Sequence, residues 1–375
     1  MDLPVMPPLD PMLAKAAPDV PDDAEASWRY EPKWDGFRCI VYRDGDDVAL
    51  GSRSTKPLTR YFPEMVAAVK AALPPRCVLD GELVVTGPHG LDWDALGNRI
   101  HPAESRINRL AAETPSSLVA FDLLAIGDED CRPLGFDQRR AFLESVLDAV
   151  PSGDTRVHLT PITSSADEAR DWFERFEGAG LDGVVAKRGD LCYRPGERAM
   201  VKVKHERTAD CVVAGYRLHK SGDGPGSLLL GLYDNDGTLH HVGVASSFSA
   251  ARRKALVAEL EPWATNTLDG HPWAGWIEAQ TAAVASGARL PGGVSRWTGT
   301  KDLSWVPLKM GLVAEVSFTQ LQGDPSGSWG PPARFRATAR FKRWRPDREP
   351  ESCRYDQLDV APPIELRQIF AAGQQ

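Results

Sequence analysis

Glu31-Pro32-Lys33-Trp34-Asp35-Gly36-Phe37-Arg38 is the stretch on which the reading of this chain turns. Asp35-Gly36 is a turn signal, because a short polar side chain and a glycine accept backbone conformations that other residues resist. The apolar run Phe37–Tyr42 behind it predicts a β-strand. Lys33 is thereby offered at the end of an extended segment rather than on a solvated helix face. Taken alone, the pattern also describes a hairpin that happens to contain one lysine.

Segments further along change that balance. Ser52-Arg53 ends a short strand, Asp80-Gly81-Glu82-Leu83 opens an apolar strand with two carboxylates, and Phe121-Asp122 closes another. Asp182-Gly183-Val184-Val185-Ala186-Lys187 repeats the theme of an acid, a turn and a buried strand, and ends in lysine. In Lys202-Val203-Lys204 the alternation of a strand points both lysines to one face. Like charges on one face repel, so an anion should lie opposite them, and phosphate is the natural candidate.

Working outward, residues 1 to about 30 read as an irregular lead-in punctuated by proline. Strand candidates follow at Phe37–Tyr42, Val48–Gly51, Cys77–Val85, Ser117–Leu124, Val157–Leu159 and Gly183–Ala186. Helix candidates are Phe62–Ala72, Asp137–Ala149 and Ala166–Glu177, the last with Ser164 or Ser165 as a cap and Asp167 and Glu168 in its first turn. After His205 the texture shifts to short strands at Cys211–Leu218, Leu228–Tyr233 and His240–Ser246. A helix over Ala250–Leu260 comes next, then strands at Leu312–Leu321 and Phe335–Trp344. Five strands and one intervening helix suit a small OB-type Greek-key barrel, although the pattern also permits an SH3-like barrel. Gly292-Gly293 and Gly323–Pro332 read as loops.

Bulk properties narrow the class. The chain has 375 residues, 42% hydrophobic and 26% charged, which suits a folded protein of two or three domains. No run approaches the length of a membrane span, and the first thirty residues do not look like a secretory signal, so a cytoplasmic address is expected. The six cysteines form no C-x-x-C pair, which argues against structural zinc. A net charge of −8 does not suggest nucleic acid, but Arg334–Arg348 (RFRATARFKRWRPDR) holds seven basic residues against the single acid Asp347.

In order and spacing, these segments resemble the motifs of the covalent nucleotidyltransferase superfamily, which comprises ATP-dependent DNA ligases, RNA ligases and mRNA-capping enzymes. EPKWDGFR, GELVV, FDLLA, KVKH and RFKRWRPDR are most similar to the bacterial ATP-dependent DNA ligases, in particular the actinobacterial ligase C group. The resemblance implies an α+β fold. An ATP-grasp-like nucleotidyltransferase domain of mixed antiparallel sheets and helices would occupy residues 1–206, and an OB-fold barrel residues 207–375.

It also implies roles. Lys33 would take AMP from ATP, with Mg²⁺ or Mn²⁺ held by Glu82 and Asp182. Lys202 and Lys204 would neutralise the α-phosphate and, as nearby cations, favour an uncharged lysine nucleophile. Phe121 would stack on adenine and Glu31 would help read its amino group. Arg38 and Arg53 would contact ribose and phosphates, including the 5′-phosphate at a nick, and Arg345 and Asp347 would orient pyrophosphate. The family usually carries Glu where this chain has Asp182; the shorter carboxylate leaves open whether it meets the metal directly or through water.

Other residues keep two readings. Lys187 either binds phosphate or pairs with an acid. Arg334, Arg336, Arg340 and Lys342 alternate along the expected Phe335–Trp344 strand region and should face DNA phosphate. Trp263, Trp273 and Trp276 read as packing, and His205, His219, His240 and His241 as turn or surface residues without metal-ligand spacing. The expected protein is a monomer acting on nicked duplex DNA in the cytoplasm, in contact with the nucleoid and not with a membrane, with a hinge near His205–Ala209 and a role in repair. Rivals are an RNA ligase, a capping-type guanylyltransferase and a catalytically silent OB-containing binding protein.

Overall fold

Lys33 falls in a four-residue link, 33–36, between two β-sheets. The computed structural model describes residues 1–23, 25, 27–87, 90–149, 156–275, 304–323, 332–358 and 369. Gly292-Gly293, most of the Gly323–Pro332 loop and Trp276 lie outside these. The chain divides into two compact units, Met1–His205 with Ala361–Gln375, and Glu206–Val360.

In the first unit, Trp28–Pro32 is the edge of a four-stranded sheet ordered Leu13–Ala16, Arg198–Val203, Val184–Arg188, Trp28–Pro32. Phe37–Asp44 belongs to a second sheet, between Asp47–Ser52 and Arg76–Gly87, with Ser116–Ile126 beyond. Successive side chains of a strand face opposite ways, and here both faces are covered. Cys39 and Val41 pack with Phe62, Met65 and Val69 of the helix Pro63–Ala72. Ile40 and Tyr42 pack with Met12, Tyr193 and Met200. Burial on both faces explains why Cys39–Tyr42 is a continuous apolar run rather than an alternating one.

Gly36 is required by this crossing. A Cβ there would lie 2.1 Å from the carbonyl oxygen of Leu83. Gly183 is required twice over, since its φ is +114° and a Cβ would lie 2.0 Å from the Val203 oxygen.

In the second unit the strands run in the order Leu239–Ser246, Pro225–Tyr233, Arg207–Leu218, Val313–Phe318, Arg340–Trp344. A parallel bridge between Ala245 and Ala339 brings the two ends of this order together and closes the ring. The helix Ala250–Leu260, capped by Ser249, lies in sequence between Leu239–Ser246 and Val313–Phe318. This is the OB-type arrangement, and it removes exposed sheet edges.

Three expectations need correction. The single strand expected over Phe335–Trp344 is two strands, Arg334–Phe335 paired with Leu321–Gln322, and Arg340–Trp344 paired with Val313–Phe318. The chain leaves the first to make the Ala339 bridge that closes the barrel, so Arg334 and Arg336 do not share a strand face with Arg340 and Lys342. The strand carrying Lys202 stops at Val203, which leaves Lys204 just past its end. Ile369 is buried with Trp34, Val84, Val119 and Trp172 of the first unit, so the 207–375 assignment does not hold to the chain's end. One apolar side chain carries no periodicity from which that could be read.

Candidate nucleotide-transfer site

The link holding Lys33 is pinned by main-chain bonds on both sides. The Lys33 amide donates to the Gly183 carbonyl at 2.8 Å, and the Asp182 amide donates to the Lys33 carbonyl at 2.9 Å. The lysine is thereby locked against the Asp182-Gly183 turn. Its Nζ lies 2.8 Å from Asp182 Oδ2. Lys204 Nζ reaches that same oxygen. The Asp182 side chain is almost wholly buried, and its Oδ1 has no hydrogen-bond partner among the described residues. Burying a carboxylate is costly unless it is paired; one oxygen here has two cations and the other is left over.

Lys202 adds to the positive charge. Burial and then Lys204, Lys33, Arg53 and Arg198 hold its ammonium below the usual lysine range. Arg53, itself exposed, therefore belongs to the same electrostatic neighbourhood as the lysine trio. Such a cluster relaxes when an anion with several negative oxygens enters, and a polyphosphate is such an anion.

Glu82 stands across from Arg38 in the pairing of neighbouring strands and accepts the Gly36 amide at 3.1 Å. Burial pushes its carboxyl up to about 7, against the pull of Arg38 and Lys33. A buried acid that resists ionisation and an unpartnered Asp182 oxygen are both features that a bound dication would relieve. Among the described residues no three His, Cys, Asp or Glu side chains converge.

Arg38 grips Asp80 with two bonds, Nε to Oδ1 at 2.5 Å and Nη2 to Oδ2 at 2.6 Å. Its guanidinium carbon lies 4.5 Å from the centre of the Phe121 ring. Lys187 Nζ approaches the same ring at 5.0 Å. Phe121 thus has cations for neighbours, which its quadrupole favours.

Of the two readings left open for Lys187, the geometry shows the ion pair. It is 2% exposed, and its Nζ lies 2.7 Å from Glu31 Oε2. The other oxygen of Glu31 faces Arg140 at 3.5 Å. Burial still raises the Glu31 carboxyl above the ordinary range. Arg140 also donates to the Thr160 carbonyl at 2.9 Å, and Thr160 Oγ1 accepts the Trp34 indole N–H at 2.8 Å. Arg140, Thr160 and Tyr193 were not singled out from sequence, and Asp80 was noted only as half of a carboxylate pair. Arg140 lies on the helix Phe136–Asp148, where an Arg139-Arg140 pair reads as a solvated face although both are buried.

In the barrel, Arg345 is held by Asp347, with Nη2 to Oδ2 at 2.8 Å, and by Asp210, with Nη1 to Oδ2 at 2.9 Å. Arg345 in turn draws the Asp347 carboxyl down to about 2. Lys342 and Arg340 are exposed on one strand, Lys342 lying 3.1 Å from Glu206. Arg334 donates to Gln322 at 3.2 Å, and burial pulls the Arg336 guanidinium down to about 10. Trp273 is buried in the barrel core and Trp263 packs against it, as read from sequence. His241 is also buried there, contrary to the surface reading.

Residues 11–204 match the ATP dependent DNA ligase domain, and residues 221–348 match the ATP dependent DNA ligase C terminal region. The chain is 52% identical to DNA ligase C of Mycobacterium tuberculosis over 373 residues, covering 98% of this chain and 99% of that protein. It is 53% identical to DNA ligase C2 of Mycolicibacterium smegmatis over 364 residues, covering 96% and 97%. A solved Lig E DNA ligase, 18% identical with a TM-score of 0.50 over 89% of this chain and 99% of that one, shares the fold. Motif order, the lysine cluster about Asp182 and these matches lead to one conclusion: the chain belongs to the ATP-dependent DNA ligases.

Proposed function

We propose that Lys33 is the residue that carries AMP, and that the chain seals nicks between 3′-hydroxyl and 5′-phosphate ends of duplex DNA during repair. The observation that supports this most directly is the convergence of Lys33 and Lys204 on one oxygen of Asp182, with Lys202 and Arg53 alongside.

The first step needs an uncharged amine in line with the α-phosphorus. Asp182 Oδ2 is positioned to take the Lys33 proton as the amine attacks. The new P–N bond forms as the bond to the bridging oxygen of pyrophosphate breaks. Lys202 and Lys204 offset the charge that builds on the α-phosphate oxygens, and fixed charge of this kind costs no reorganisation at the moment of reaction. Glu82 and Asp182 would hold the divalent ion, which when bound supplies charge neutralisation on phosphate oxygens. Phe121 and Glu31 are placed in this proposal at the base, Arg38 and Arg53 at ribose and phosphate, and Arg345 and Asp347 at the departing pyrophosphate. Lys187 then acts on the base side through Glu31.

In the second step AMP passes from Lys33 to the 5′-phosphate at the nick, and in the third the 3′-hydroxyl displaces AMP. Each is mainly a matter of positioning. Arg334, Arg336, Arg340 and Lys342 are proposed to meet DNA phosphate. The chain is read as working alone, because it carries both the lysine cluster and the basic barrel strand. The cytoplasm is its proposed setting, since its relatives are bacterial and bacterial DNA lies there.

Incubation with α-labelled ATP should leave label on the protein, and a chase with nicked duplex DNA should release it as AMP while the nick closes. Parallel runs with GTP and with nicked RNA separate the capping and RNA-ligase alternatives. Absence of any adduct would favour a silent binding protein.

A further inference from the structure

Tyr193 takes no part in the chemistry described above, yet it is 4% exposed and its hydroxyl is fully engaged. It donates to Asp80 Oδ2 at 2.6 Å and accepts the Met12 amide at 3.0 Å. Asp80 is wholly buried and spends both oxygens on Arg38. Arg38 Nη2 also donates to the Met12 carbonyl at 3.3 Å. The ring closes on itself: Met12 offers its amide to Tyr193 and its carbonyl to Arg38, and Asp80 joins the other two.

We propose that Tyr193 is a positioning residue that fixes Arg38 over Phe121. The argument is geometric. Arg38 lies on a strand and has several rotamers open to it. Asp80 alone defines a two-pronged contact but can itself rotate about its side-chain bonds. The Tyr193 hydroxyl, carried on a rigid ring whose neighbours are core residues, occupies a lone pair of Asp80 Oδ2 and so sets the plane of the carboxylate. The plane of the carboxylate sets the plane of the guanidinium, because a bidentate pair is coplanar. That guanidinium is the one whose carbon lies 4.5 Å from the Phe121 centroid. The lead-in segment is thereby tied to the same point, since Met12 directly precedes the strand Leu13–Ala16, which pairs in parallel with the strand bearing Lys202.

The consequence for catalysis rests on the proposed placing of Arg38 at ribose and phosphate. Tyr193→Phe keeps the ring and removes only the hydroxyl. Loss of one hydrogen bond to a charged group should slow single-turnover transfer of AMP to nicked DNA roughly tenfold. In an Arg38→Lys background, which lacks the two-pronged grip, the same change should cost less than about twofold, because residues acting through one partner are not additive. Independent tenfold losses that multiply in the double variant would overturn the proposal, as would a Tyr193→Phe enzyme as fast as wild type.

A second readout does not depend on activity. The Arg38 Nε–H resonance, assigned by its absence in Arg38→Lys, should exchange with water faster in Tyr193→Phe by more than the accompanying fall in melting temperature accounts for. Unaltered exchange would also overturn the proposal. Should wild type form no adduct with ATP, the functional reading fails, while the exchange measurement still decides whether the latch exists.

Discussion

Lys33 and Asp182 are joined twice, by the Asp182 amide donating to the Lys33 carbonyl and by the 2.8 Å ion pair, while the Lys33 amide donates to the carbonyl of neighbouring Gly183. The residue proposed to activate the lysine is thus also the one that fixes its backbone. Lys33→Ala should abolish the labelled adduct with ATP. It should retain slow sealing of a nick already carrying AMP, since the third step needs no lysine amine. Labelling that persists in the variant would remove Lys33 from the mechanism.

Changing Asp182 to Asn keeps the shape and removes the charge that both lysines share. Adduct formation should fall by about 10²-fold, the scale seen when one well-placed electrostatic partner is removed. Asp182→Glu, which keeps the charge on a carboxylate one methylene longer, should keep adduct formation within roughly tenfold of wild type. Equal losses in both variants would show that the site needs the length of the side chain as much as its charge.

Arg340 and Lys342 make a separate prediction. Replacing both by Ala should leave the adduct with ATP intact and weaken binding to nicked DNA of any sequence. The slope of log affinity against log salt should drop by about 2, one for each phosphate no longer neutralised. Wild-type sealing should itself fall steeply between about 50 and 200 mM salt. A slope unchanged by the double substitution would place the DNA elsewhere.

His241 gives the barrel an acid sensitivity. Burial, with Arg217 and Arg334 adding to it, lowers its pKa from 6.5 to about 3. The unfolded chain therefore binds a proton that the folded barrel refuses between those values. Stability from this group is complete above about pH 6.5 and is lost as pH falls toward 3, a difference on the order of 5 kcal/mol. His241→Phe should melt with a shallower dependence on pH between about 4 and 6.5 than wild type. Parallel curves would show that the histidine finds another way to charge.

Much of the fold was legible because its strands are bounded by turn residues and two of the expected helices open on a serine cap: of Ser164 and Ser165, it is Ser165 that accepts the Glu168 amide, and Ser249 accepts the Arg252 amide. The strands Trp28–Pro32 and Leu13–Ala16 were not, since charged residues and prolines interrupt or flank both. At the site, Lys33, Glu82, Asp182, Lys202 and Lys204 stand in short patterned runs. Tyr193 and Asp80 meet across 113 positions of sequence, and nothing local to a tyrosine announces a buried carboxylate. Arg140 was hidden for the opposite reason, a basic pair on a helix being ordinary at a surface.

The link 33–36 is also the covalent passage from the Trp28–Pro32 strand to the Phe37–Asp44 strand, and hence from one sheet to the next. A reactive amine mounted at such a junction inherits the alignment of both flanking layers. Substitutions deep in either apolar layer, remote from any phosphate, should thus be felt as mis-aimed chemistry at temperatures where the protein still stands folded.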